Sequence, residues 1–335
     1  MNLNGKSLLI TGGTGSLGNA LVEQIFKTSP SIDRLVIYSR DEQKQFQMAK
    51  KFPESEYPAI RYFIGDVRDY DRLERALYGI NYVIHAAAMK HVPVAEYNPD
   101  ECVKTNVIGA QNVINASLKI ETIESVVALS TDKACSPINL YGATKLASDK
   151  LFVAANNIKG PTNKRFSVVR YGNVMGSNGS VMPFFLKEKE KKILPITDER
   201  MTRFNITLKE GVEMVLFALE KCMGGEILVP KIPSYNITDV AKAICKESEI
   251  KIIGIRPGEK LHEEMISFSD SFNTFYDDDY FFILPTKPMW SIEEFQSKLK
   301  TKKIEKPFSY SSDSNKDFLN VEQLRDLISS ELLNE

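Results

Sequence analysis

Short apolar runs alternate with helix-like segments along the first half of the chain. Apolar residues recur at helical spacing from Leu17 to Phe26 and from about Asn139 to Asn156. The strand candidates are apolar throughout, which is typical of strands buried on both faces. They are KSLLITGG, RLVIYSR, RYFIGDV, NYVIHAAA, SVVALST and RFSVVRYGNV. This pattern predicts an α/β fold, a doubly wound parallel sheet of Rossmann type with helices on both faces.

The regular alternation of strands and helices weakens after Gly176. We therefore predict a dinucleotide-binding domain over residues 1–176, a smaller substrate-binding domain over 177–268 and a C-terminal extension over 269–335. The run GGEILVPK, near 225–231, is a further strand candidate that can return to the main sheet. The extension joins an acidic and aromatic stretch, FYDDDYFFILP, to a basic stretch, KLKTKKIEK, and indicates no function.

Charge and composition narrow the classes of partner. The chain of 335 residues carries 43 Lys and Arg against 44 Asp and Glu, and 43% of its residues are hydrophobic. This balance argues against nucleic acid or an anionic membrane surface as the main partner, so an anionic ligand must be held by local positive groups. No window approaches the roughly 18 apolar residues that span a bilayer, and we expect no membrane partner.

The N-terminal residues and the cysteines predict a cytoplasmic protein. The stretch MNLNGKSLLITGG lacks the apolar core and the small-residue cleavage site of a signal peptide. The four cysteines are scattered without a CxxC pair, which favours reduced thiols. The three histidines, His85, His91 and His262, do not stand at ligand spacing, and LHEEM is not HExxH, so we predict no metal site.

A glycine-rich turn, TGGTGSLG, connects the first predicted strand to the first predicted helix. Gly12, Gly15 and Gly18 follow the spacing G-x-x-G-x-x-G. A tight structural turn would also explain a glycine triplet. The strand before it and the helix after it are the context in which backbone amides and a helix N-terminus hold a pyrophosphate. We therefore predict a dinucleotide site here.

The end of the second predicted strand, IYSRDE, bears on the choice of dinucleotide. A free ribose 2′-hydroxyl calls for a carboxylate about 20 residues past the glycines, whereas a 2′-phosphate calls for arginine. Arg40 with Lys44 favours NADP, because cationic donors match a phosphate, while Asp41 would suit NAD. Asp66, after the third strand, is a candidate for the adenine amino group.

A tyrosine and a lysine four residues apart carry the candidate chemistry. Tyr141 and Lys145 lie on one face of a predicted helix, ten residues past Thr131. A phenol has a pKa of about 10 and is a poor base at neutral pH. A neighbouring ammonium and the positive nicotinamide should lower that pKa, so that the tyrosine takes a hydroxyl proton while hydride leaves the same carbon.

The chain resembles a known enzyme family through many motifs. They are TGGTGS, YSRDE, FIGDVRD, HAAAMKHVPVAEYNP, STDKA, PINLYGATK, RYGNV, PITD, MTRF, GGEI, VPKIPS and IGIRPGEKLHE. These stretches are similar to the inverting UDP-N-acetylglucosamine 4,6-dehydratases of bacterial pseudaminic-acid synthesis, within the extended short-chain dehydrogenase/reductase superfamily. The resemblance runs from about Lys6 to Met265 and is looser beyond.

The resemblance implies a reaction that explains the Asp-Lys pair after the fifth strand. Tyr141, helped by Lys145, would oxidise the C4 hydroxyl of the sugar with NADP, and Thr131 would orient the substrate. Lys133 would then remove the C5 proton and Asp132 would protonate the departing C6 hydroxyl. Hydride returns to C6, and C5 is reprotonated on the opposite face. A lysine acts as a base only if its pKa is pulled down, which we expect from burial beside Lys145 and the nicotinamide.

The resemblance also supplies the ligand contacts. The predicted cofactor residues are Gly12, Thr14, Gly15, Ser16, Leu17, Gly18, Ser39, Arg40, Asp41, Lys44, Asp66, Val67, Ala86, Ala87, Lys90, Tyr141 and Lys145. The predicted substrate residues are Lys90, Asn173, Val174, Arg203, Arg256 and Glu259, whose cations suit a diphosphate. Two positions depart from the family pattern. Asn178 stands where arginine is usual, and Asn205 where tryptophan is usual.

Three alternatives stay open at the level of sequence. A nucleotide-sugar 4-epimerase shares the fold, the cofactor, the tyrosine and the lysine, but it needs no acid–base pair for C5 and C6. A non-catalytic dinucleotide sensor has no reason to keep Tyr141 and Lys145 together with that pair. A C5-retaining dehydratase differs only in the face of reprotonation. We also predict a homo-oligomer, because extended members of the superfamily pair through helices that flank the sheet.

Overall fold

The computed structural model describes residues 1–176, 181–188, 190, 193–247 and 249–332. The strands, in chain order, are β1 (Ser7–Thr11), β2 (Arg34–Ser39), β3 (Ile60–Ile64), β4 (Tyr82–His85), β5 (Ser125–Leu129), β6 (Arg165–Val169), β7 (Asn173–Val174), β8 (Ile193–Ile196), β9 (Thr202–Ile206), β10 (Ile227–Pro230), β11 (Ser234–Asn236), β12 (Glu249–Ile252), β13 (Glu264–Ile266), β14 (Thr274–Tyr276), β15 (Tyr280–Ile283), β16 (Lys302–Lys303) and β17 (Tyr310–Ser311).

The helices alternate with these strands through the first half of the chain. They are α1 (Ser16–Thr28), α2 (Glu42–Lys51), α3 (Tyr70–Leu77), α4 (Val92–Tyr97), α5 (Pro99–Val103), α6 (Gly109–Lys119), α7 (Leu140–Ile158), α8 (Val181–Glu188), α9 (Leu208–Lys221), α10 (Ile237–Ile244), α11 (Phe268–Ser271), α12 (Ile292–Leu299) and α13 (Val321–Leu332). A π-helical turn, Lys104–Ile108, joins α5 to α6, and a 3₁₀ turn, Asp132–Ala134, follows β5.

The main sheet has a parallel part and an antiparallel edge. Strands β3, β2, β1, β4, β5, β6 and β10 lie side by side in that order and run parallel. The strand order reverses between β1 and β4, and in such sheets ligands bind at this switch point. Strands β15, β14 and β16 continue the sheet in antiparallel fashion. The predicted fold class, a doubly wound parallel sheet, is confirmed.

The apolar character of the strands follows from their burial on both faces. All five residues of β1 and of β5 are buried. Alternate side chains point to opposite sides, so Leu8 and Ile10 belong to one core and Leu9 to the other. Helices α1 and α9 pack against each other on one side, and α3, α6 and α7 pack together on the other. These two cores fix the strand ends that carry the site.

A smaller unit lies beside the C-terminal ends of the parallel strands. It contains the three-stranded sheet β11-β9-β7, the pair β12-β8 and a third core in which α8, α10 and α13 take part. The C-terminal segment contributes to both units, because β14 to β16 extend the main sheet while α13 packs on α10. The predicted domain boundaries at 176 and 268 stay predictions, and the chain passes between the two units more than once.

Within the described part of the chain, no helix is both long enough and apolar enough to cross a bilayer.

Candidate active site

A large cleft opens at the C-terminal ends of the parallel strands. Its volume is about 880 Å³, and it runs from the glycine turn to the segment 256–263. Every predicted cofactor and substrate residue lines it, as do Thr131, Lys133, Tyr141 and Lys145. Asp132 is the one predicted site residue outside the lining, and it is only 1% exposed. The structure brings the predicted residues to one cavity, while their individual roles stay predictions.

The three glycines of the turn meet different constraints. Gly12 has φ = 66°, and a Cβ there would lie 2.8 Å from the Cα of Ala87. A Cβ on Gly18 would lie 2.1 Å from the carbonyl oxygen of Gly13. Gly15 is different, because its Cβ would meet only the carbonyl oxygen of Gly12, at an ordinary 3.5 Å. The fold therefore requires Gly12 and Gly18, whereas the open space at Gly15 fits close approach of a ligand to the backbone at the start of α1.

After β2, one side chain caps helix α2 and two others are cations that face the cleft. Asp41 caps α2, since its carboxylate accepts a hydrogen bond from the backbone N–H of Lys44 at 3.0 Å. This bond lowers the pKa of Asp41. Arg40 and Lys44 are 58% and 66% exposed at their side chains and both line the cleft. Lys90 lines the same region, and burial, followed by repulsion from Lys44, lowers its pKa. Cationic groups therefore gather where a ribose phosphate would lie.

Asp66 sits between this cluster and the next helix. Its carboxylate accepts hydrogen bonds from the Nε of Arg68 at 3.0 Å and from its terminal nitrogen at 2.7 Å, and Arg40 lies 3.7 Å away. These bonds and charges outweigh burial and lower the pKa of Asp66. The carboxylate stays ionised while it faces the cleft.

The 3₁₀ turn and the start of α7 bring the catalytic candidates together. Asn139 caps α7 by accepting a hydrogen bond from the N–H of Gly142 at 2.7 Å. A Cβ on Gly142 would lie 2.1 Å from the carbonyl oxygen of Lys133, so only glycine lets the helix pack this closely on the turn. The Tyr-Gly pair of the sequence thereby fixes Tyr141 next to the residues that follow β5.

Asp132 and Lys133 belong to a chain of buried polar contacts. The Thr131 hydroxyl donates to Oδ1 of Asp132 at 2.9 Å. The Lys133 ammonium donates to the same oxygen at 3.1 Å and lies 3.0 Å from Oε1 of Glu263. Glu263 is 2% exposed, and Arg203 approaches it at 3.8 Å. One ammonium therefore lies between two buried carboxylates.

The pKa of Lys133 differs from our expectation because of the charges around it. Burial alone would lower the pKa of Lys133, but the carboxylates of Asp132 and Glu263 outweigh it and raise the pKa. The prediction of a lowered lysine pKa was therefore wrong, because it counted Lys145 and the nicotinamide but not Glu263. Burial raises the pKa of Asp132, and the opposing charge of Lys133 only partly offsets this rise. Burial also raises the pKa of Glu263, but Lys133 and Arg203 outweigh it and the net shift is downward.

The tyrosine also differs from expectation. Burial raises the pKa of Tyr141 to about 12, against opposing effects of the Lys133 charge and a hydrogen bond with Thr131. The prediction that Lys145 lowers the pKa of Tyr141 was wrong. Among the protein's own groups, the ammonium that acts on the phenol is that of Lys133. Burial lowers the pKa of Lys145 itself, partly offset by Asp149.

The predicted substrate residues lie in two parts of the cleft, its wall and its outer mouth. Asn173 and Val174 form β7 at the cleft wall, where Asn173 pairs in register with Asn205 of β9. The guanidinium of Arg203 donates to the carbonyl oxygens of Leu261 at 2.9 Å and Lys260 at 3.0 Å, so it holds the segment over the cleft as well as facing it.

Arg256 and Glu259 lie at the outer mouth of the cleft, 3.7 Å apart. Asn178 lies outside the described residues.

The segment 256–263 contains what the sequence reasoning missed. The Lys260 ammonium donates to the carbonyl oxygen of Cys135 at 2.7 Å, and Asn139 donates to that of Gly258 at 2.8 Å. Glu263 lies in the stretch LHEEM, which we considered only as a metal motif. The available signal was its place at the end of the family-like motif IGIRPGEKLHE. Among the described residues, no group of His, Cys, Asp and Glu could hold a metal ion.

The fold and this site define an extended short-chain dehydrogenase/reductase. The chain belongs to the family described as polysaccharide biosynthesis protein, whose model matches residues 8–285. The family resemblance noted from the sequence is confirmed by a relative from Campylobacter jejuni (serotype O:23/36, strain 81-176), named UDP-N-acetylglucosamine 4,6-dehydratase (inverting). It is 54% identical over 97% of this chain and 98% of its own length.

One further relative carries the name of a different enzyme, and another is known from a solved structure. A Rickettsia conorii protein named UDP-glucose 4-epimerase is 42% identical over 78% of this chain and 78% of its own length. The X-ray structure of Pen from Bacillus thuringiensis superimposes with a TM-score of 0.89 at 36% identity, covering 99% of both chains.

Proposed function

We propose that the protein is an inverting UDP-N-acetylglucosamine 4,6-dehydratase that acts at the start of a route to pseudaminic acid or a related sugar. The observation that carries the proposal is the pair of Asp132, which is buried, and Lys133, which is half-buried and lines the dinucleotide cleft beside Tyr141. The curated relatives at 54% identity carry this name. An epimerase has no use for such an acid–base pair, although the Rickettsia relatives are named for that activity.

The residues of the chain would divide the proton transfers between them. Tyr141, supported by Thr131 and Lys145, takes the proton of the C4 hydroxyl. A nicotinamide held in the cleft by the glycine turn would supply the hydride acceptor for C4 and the hydride donor for C6. The C4 ketone acidifies the C5 proton, which Lys133 removes. Two protons leave the substrate and two return, one to the departing hydroxyl and one to C5.

Asp132 would act as the acid in the elimination. Burial raises its pKa, a shift in the direction that this role requires, and its Thr131 and Lys133 contacts hold the carboxyl directly behind the lining of the cleft. As the C5–H bond breaks, the C5–C6 double bond forms and the C6–O bond breaks, and the proton of Asp132 leaves with the hydroxyl as water. General acid and general base steps of this kind are each worth about 10²–10⁴-fold in rate.

The cofactor we propose is NADP. The carboxylate after β2 that would bind a free 2′-hydroxyl is occupied in capping α2, as the Asp41 hydrogen bond indicates. Arg40 and Lys44 remain exposed at the cleft and suit a phosphate. Comparing the dissociation constants of NADP and NAD by fluorescence titration tests this choice, and a preference for NAD would contradict it.

The substrate diphosphate would be held by the cations of the smaller unit. We assign this contact to Arg203 and Arg256, with Lys90 on the side of the cleft near Lys44, while Asn173 and Val174 face the sugar. Glu259 would fix the Arg256 side chain, which it approaches at 3.7 Å.

We also propose a homo-oligomer in the cytoplasm. Helices α4 and α5 and the π-helical turn expose apolar side chains, with Val94 49%, Tyr97 87% and Ile108 49% exposed. This face adjoins α7, the helix that carries Tyr141. The mass in solution checks the oligomer, and a species of monomer mass would contradict it. Cell fractionation checks the location, and recovery of the protein with the membranes would contradict that part of the proposal.

Proton NMR in heavy water tests the function directly. Purified protein with UDP-N-acetylglucosamine and catalytic NADP should give a 4-keto-6-deoxy sugar with deuterium at C5 and coupling constants of the inverted ring. Retained couplings would make it the C5-retaining enzyme, and an unchanged C6 with a C4 epimer would make it an epimerase. Lys133→Ala should stop the elimination, and Tyr141→Phe should stop the oxidation that precedes it. Unchanged turnover by either variant would contradict its assigned role.

A further inference from the structure

Glu263 is a buried carboxylate that reaches the site from a distant part of the chain. It directly precedes β13, and its backbone is held by Ser312, whose hydroxyl accepts from the Glu263 N–H at 2.9 Å. The N–H of Ser312 donates back to the carbonyl oxygen of Glu263 at 2.8 Å. Two reciprocal hydrogen bonds therefore fix the point from which the side chain extends into the cleft.

The carboxylate of Glu263 is only partly satisfied. Its Oε1 lies 3.0 Å from the Lys133 ammonium and 3.8 Å from the Nε of Arg203. Its Oε2 is buried and has no hydrogen-bond partner among the described residues. Leaving a buried carboxylate oxygen without a partner costs stability, so such groups are uncommon outside functional sites. The cost points to a use for this group in the cleft.

We propose that Glu263 is a positioning residue for the proposed dehydratase reaction, which orients Lys133 and stabilises the ammonium that forms when this lysine takes the C5 proton. The inference rests on the proposed function. The lysine amine becomes positive as the C5–H bond breaks, and a fixed carboxylate at 3.0 Å favours that charge. The same carboxylate raises the pKa of Lys133, so the neutral amine that the step needs is the form present above that pKa. The arrangement resembles in logic the buried aspartate that orients and stabilises the histidine of a catalytic triad.

Several charged and titratable groups surround Lys133 and bear on its protonation. They are Asp132 on its own turn, Tyr141 on α7, Arg203 on β9, Tyr235 on β11, and Lys260 and Glu263 on the segment over the cleft. Asp132 and Glu263 raise the lysine pKa and Arg203 lowers it. Removing the Glu263 charge therefore lowers the pKa of Lys133, so the limb of the rate profile that reports its deprotonation moves to lower pH.

The substitution Glu263→Gln keeps the size and the hydrogen-bonding reach of the side chain but removes its charge. At a pH above the limb, where Lys133 is neutral in both proteins, we expect the elimination, monitored by deuterium incorporation at C5, to slow by about 10²-fold. We also expect the pH limb to move down. Reduction of the nicotinamide on addition of substrate should slow far less, because Lys133 takes no proton in the C4 oxidation and acts on Tyr141 only through its charge. A merely structural role would impair both steps together and leave the limb in place.

Two further variants separate charge from folding. Glu263→Asp restores the charge at a longer distance and should return the limb towards the wild-type pH, and it decides the question alone if Glu263→Gln does not fold. Glu226→Gln is the matched control, because Glu226 is also fully buried and accepts from the N–H of Gly224 at 2.7 Å. It directly precedes β10, at the opposite end of the strand from the cleft. This control should lower the unfolding midpoint and leave the pH limb unchanged.

The outcomes distinguish the inference from the proposed function. An active wild type together with a Glu263→Gln variant of wild-type elimination rate and unmoved limb would overturn the inference alone. A limb that stays displaced in a folded Glu263→Asp variant would also overturn it, because charge would then not be the cause. A wild type that forms no 4-keto-6-deoxy product would overturn the proposed function and the inference with it.

Discussion

Replacing Arg170 by methionine should destabilise the protein more than most single substitutions. Arg170 is 2% exposed at the end of β6, and its guanidinium lies 3.2 Å from the carboxylate of Asp149 on α7, which is 1% exposed. It also donates to the carbonyl oxygen of Met265 at 3.0 Å. In the Arg170→Met variant, the Asp149 carboxylate would lose its ion pair and keep the hydrogen bond that the Ser130 hydroxyl donates at 2.8 Å. Removing one partner of a buried ion pair costs about 3–5 kcal/mol.

The double variant Asp149→Leu with Arg170→Met separates the charge effect from simple loss of packing. Replacing both charges by apolar groups should cost less than the single Arg170→Met change, because the buried carboxylate that would lose its ion-pair partner is removed as well. Urea unfolding, followed by circular dichroism and by the fluorescence of Trp290, measures the free energy of unfolding. Trp290 reports on the sheet because its indole donates to the carbonyl oxygen of Gly224 at 3.0 Å. A cost below about 1 kcal/mol for Arg170→Met, the range of an exposed pair, would refute the argument. So would a double variant that costs the sum of both single changes.

Two other predictions follow from the glycine turn and from a buried histidine. Gly15→Ala should keep the wild-type unfolding midpoint but weaken dinucleotide binding in a fluorescence titration. Gly18→Ala should lower the midpoint and weaken binding as well, because its Cβ would lie 2.1 Å from the Gly13 carbonyl oxygen. An equal loss of stability in the two variants would contradict this distinction. Burial, with a smaller contribution from Lys145, lowers the pKa of His85 to about 3. The unfolded chain therefore binds the extra proton first, and stability should fall as the pH drops from about 6.5 towards the folded value. His85→Phe should make the free energy of unfolding less dependent on pH across that window, and an unchanged slope would be evidence against the shift.

Much of the fold was predictable because its signals are local. The strands β1 to β6 are mostly apolar, and the residues from Thr131 to Lys145 form one continuous stretch of strand end, turn and helix. A single stretch of sequence therefore gathers most of the catalytic candidates, and the glycine turn lies at the neighbouring strand end. Strand order and periodicity place both at the same edge of the sheet.

The protonation of Lys133 was not predictable in this way. Its pKa depends on Glu263, which lies in another part of the chain and reaches the site only because β13 pairs with β17. Sequence neighbours suggested cations around the lysine, whereas the folded chain adds a carboxylate. Electrostatic effects of this kind follow from tertiary contacts, and no local pattern carries them.

The C-terminal segment held a signal that we did not use. The stretch FYDDDYFFILP is the hairpin of β14 and β15, with its aspartates at the turn. The Asp277 carboxylate accepts from the N–H groups of Asp279 at 2.9 Å and Tyr280 at 2.7 Å, a typical use of aspartate in turns. Alternate aromatic residues, Phe275 and Phe282, enter the core. Apolar residues on both sides of an aspartate cluster were the available indication.

The last strand of the main sheet, β16, consists of Lys302 and Lys303, which are both exposed. They pair with Tyr276 and Phe275 of β14, and in the described chain β16 ends the sheet on this side. A strand of two residues leaves few backbone groups open, and its lysines repel a second copy that approaches with the same edge. The basic stretch of the tail thus protects the protein against edge-to-edge aggregation, a hazard that every open sheet shares at the high concentrations of a cell.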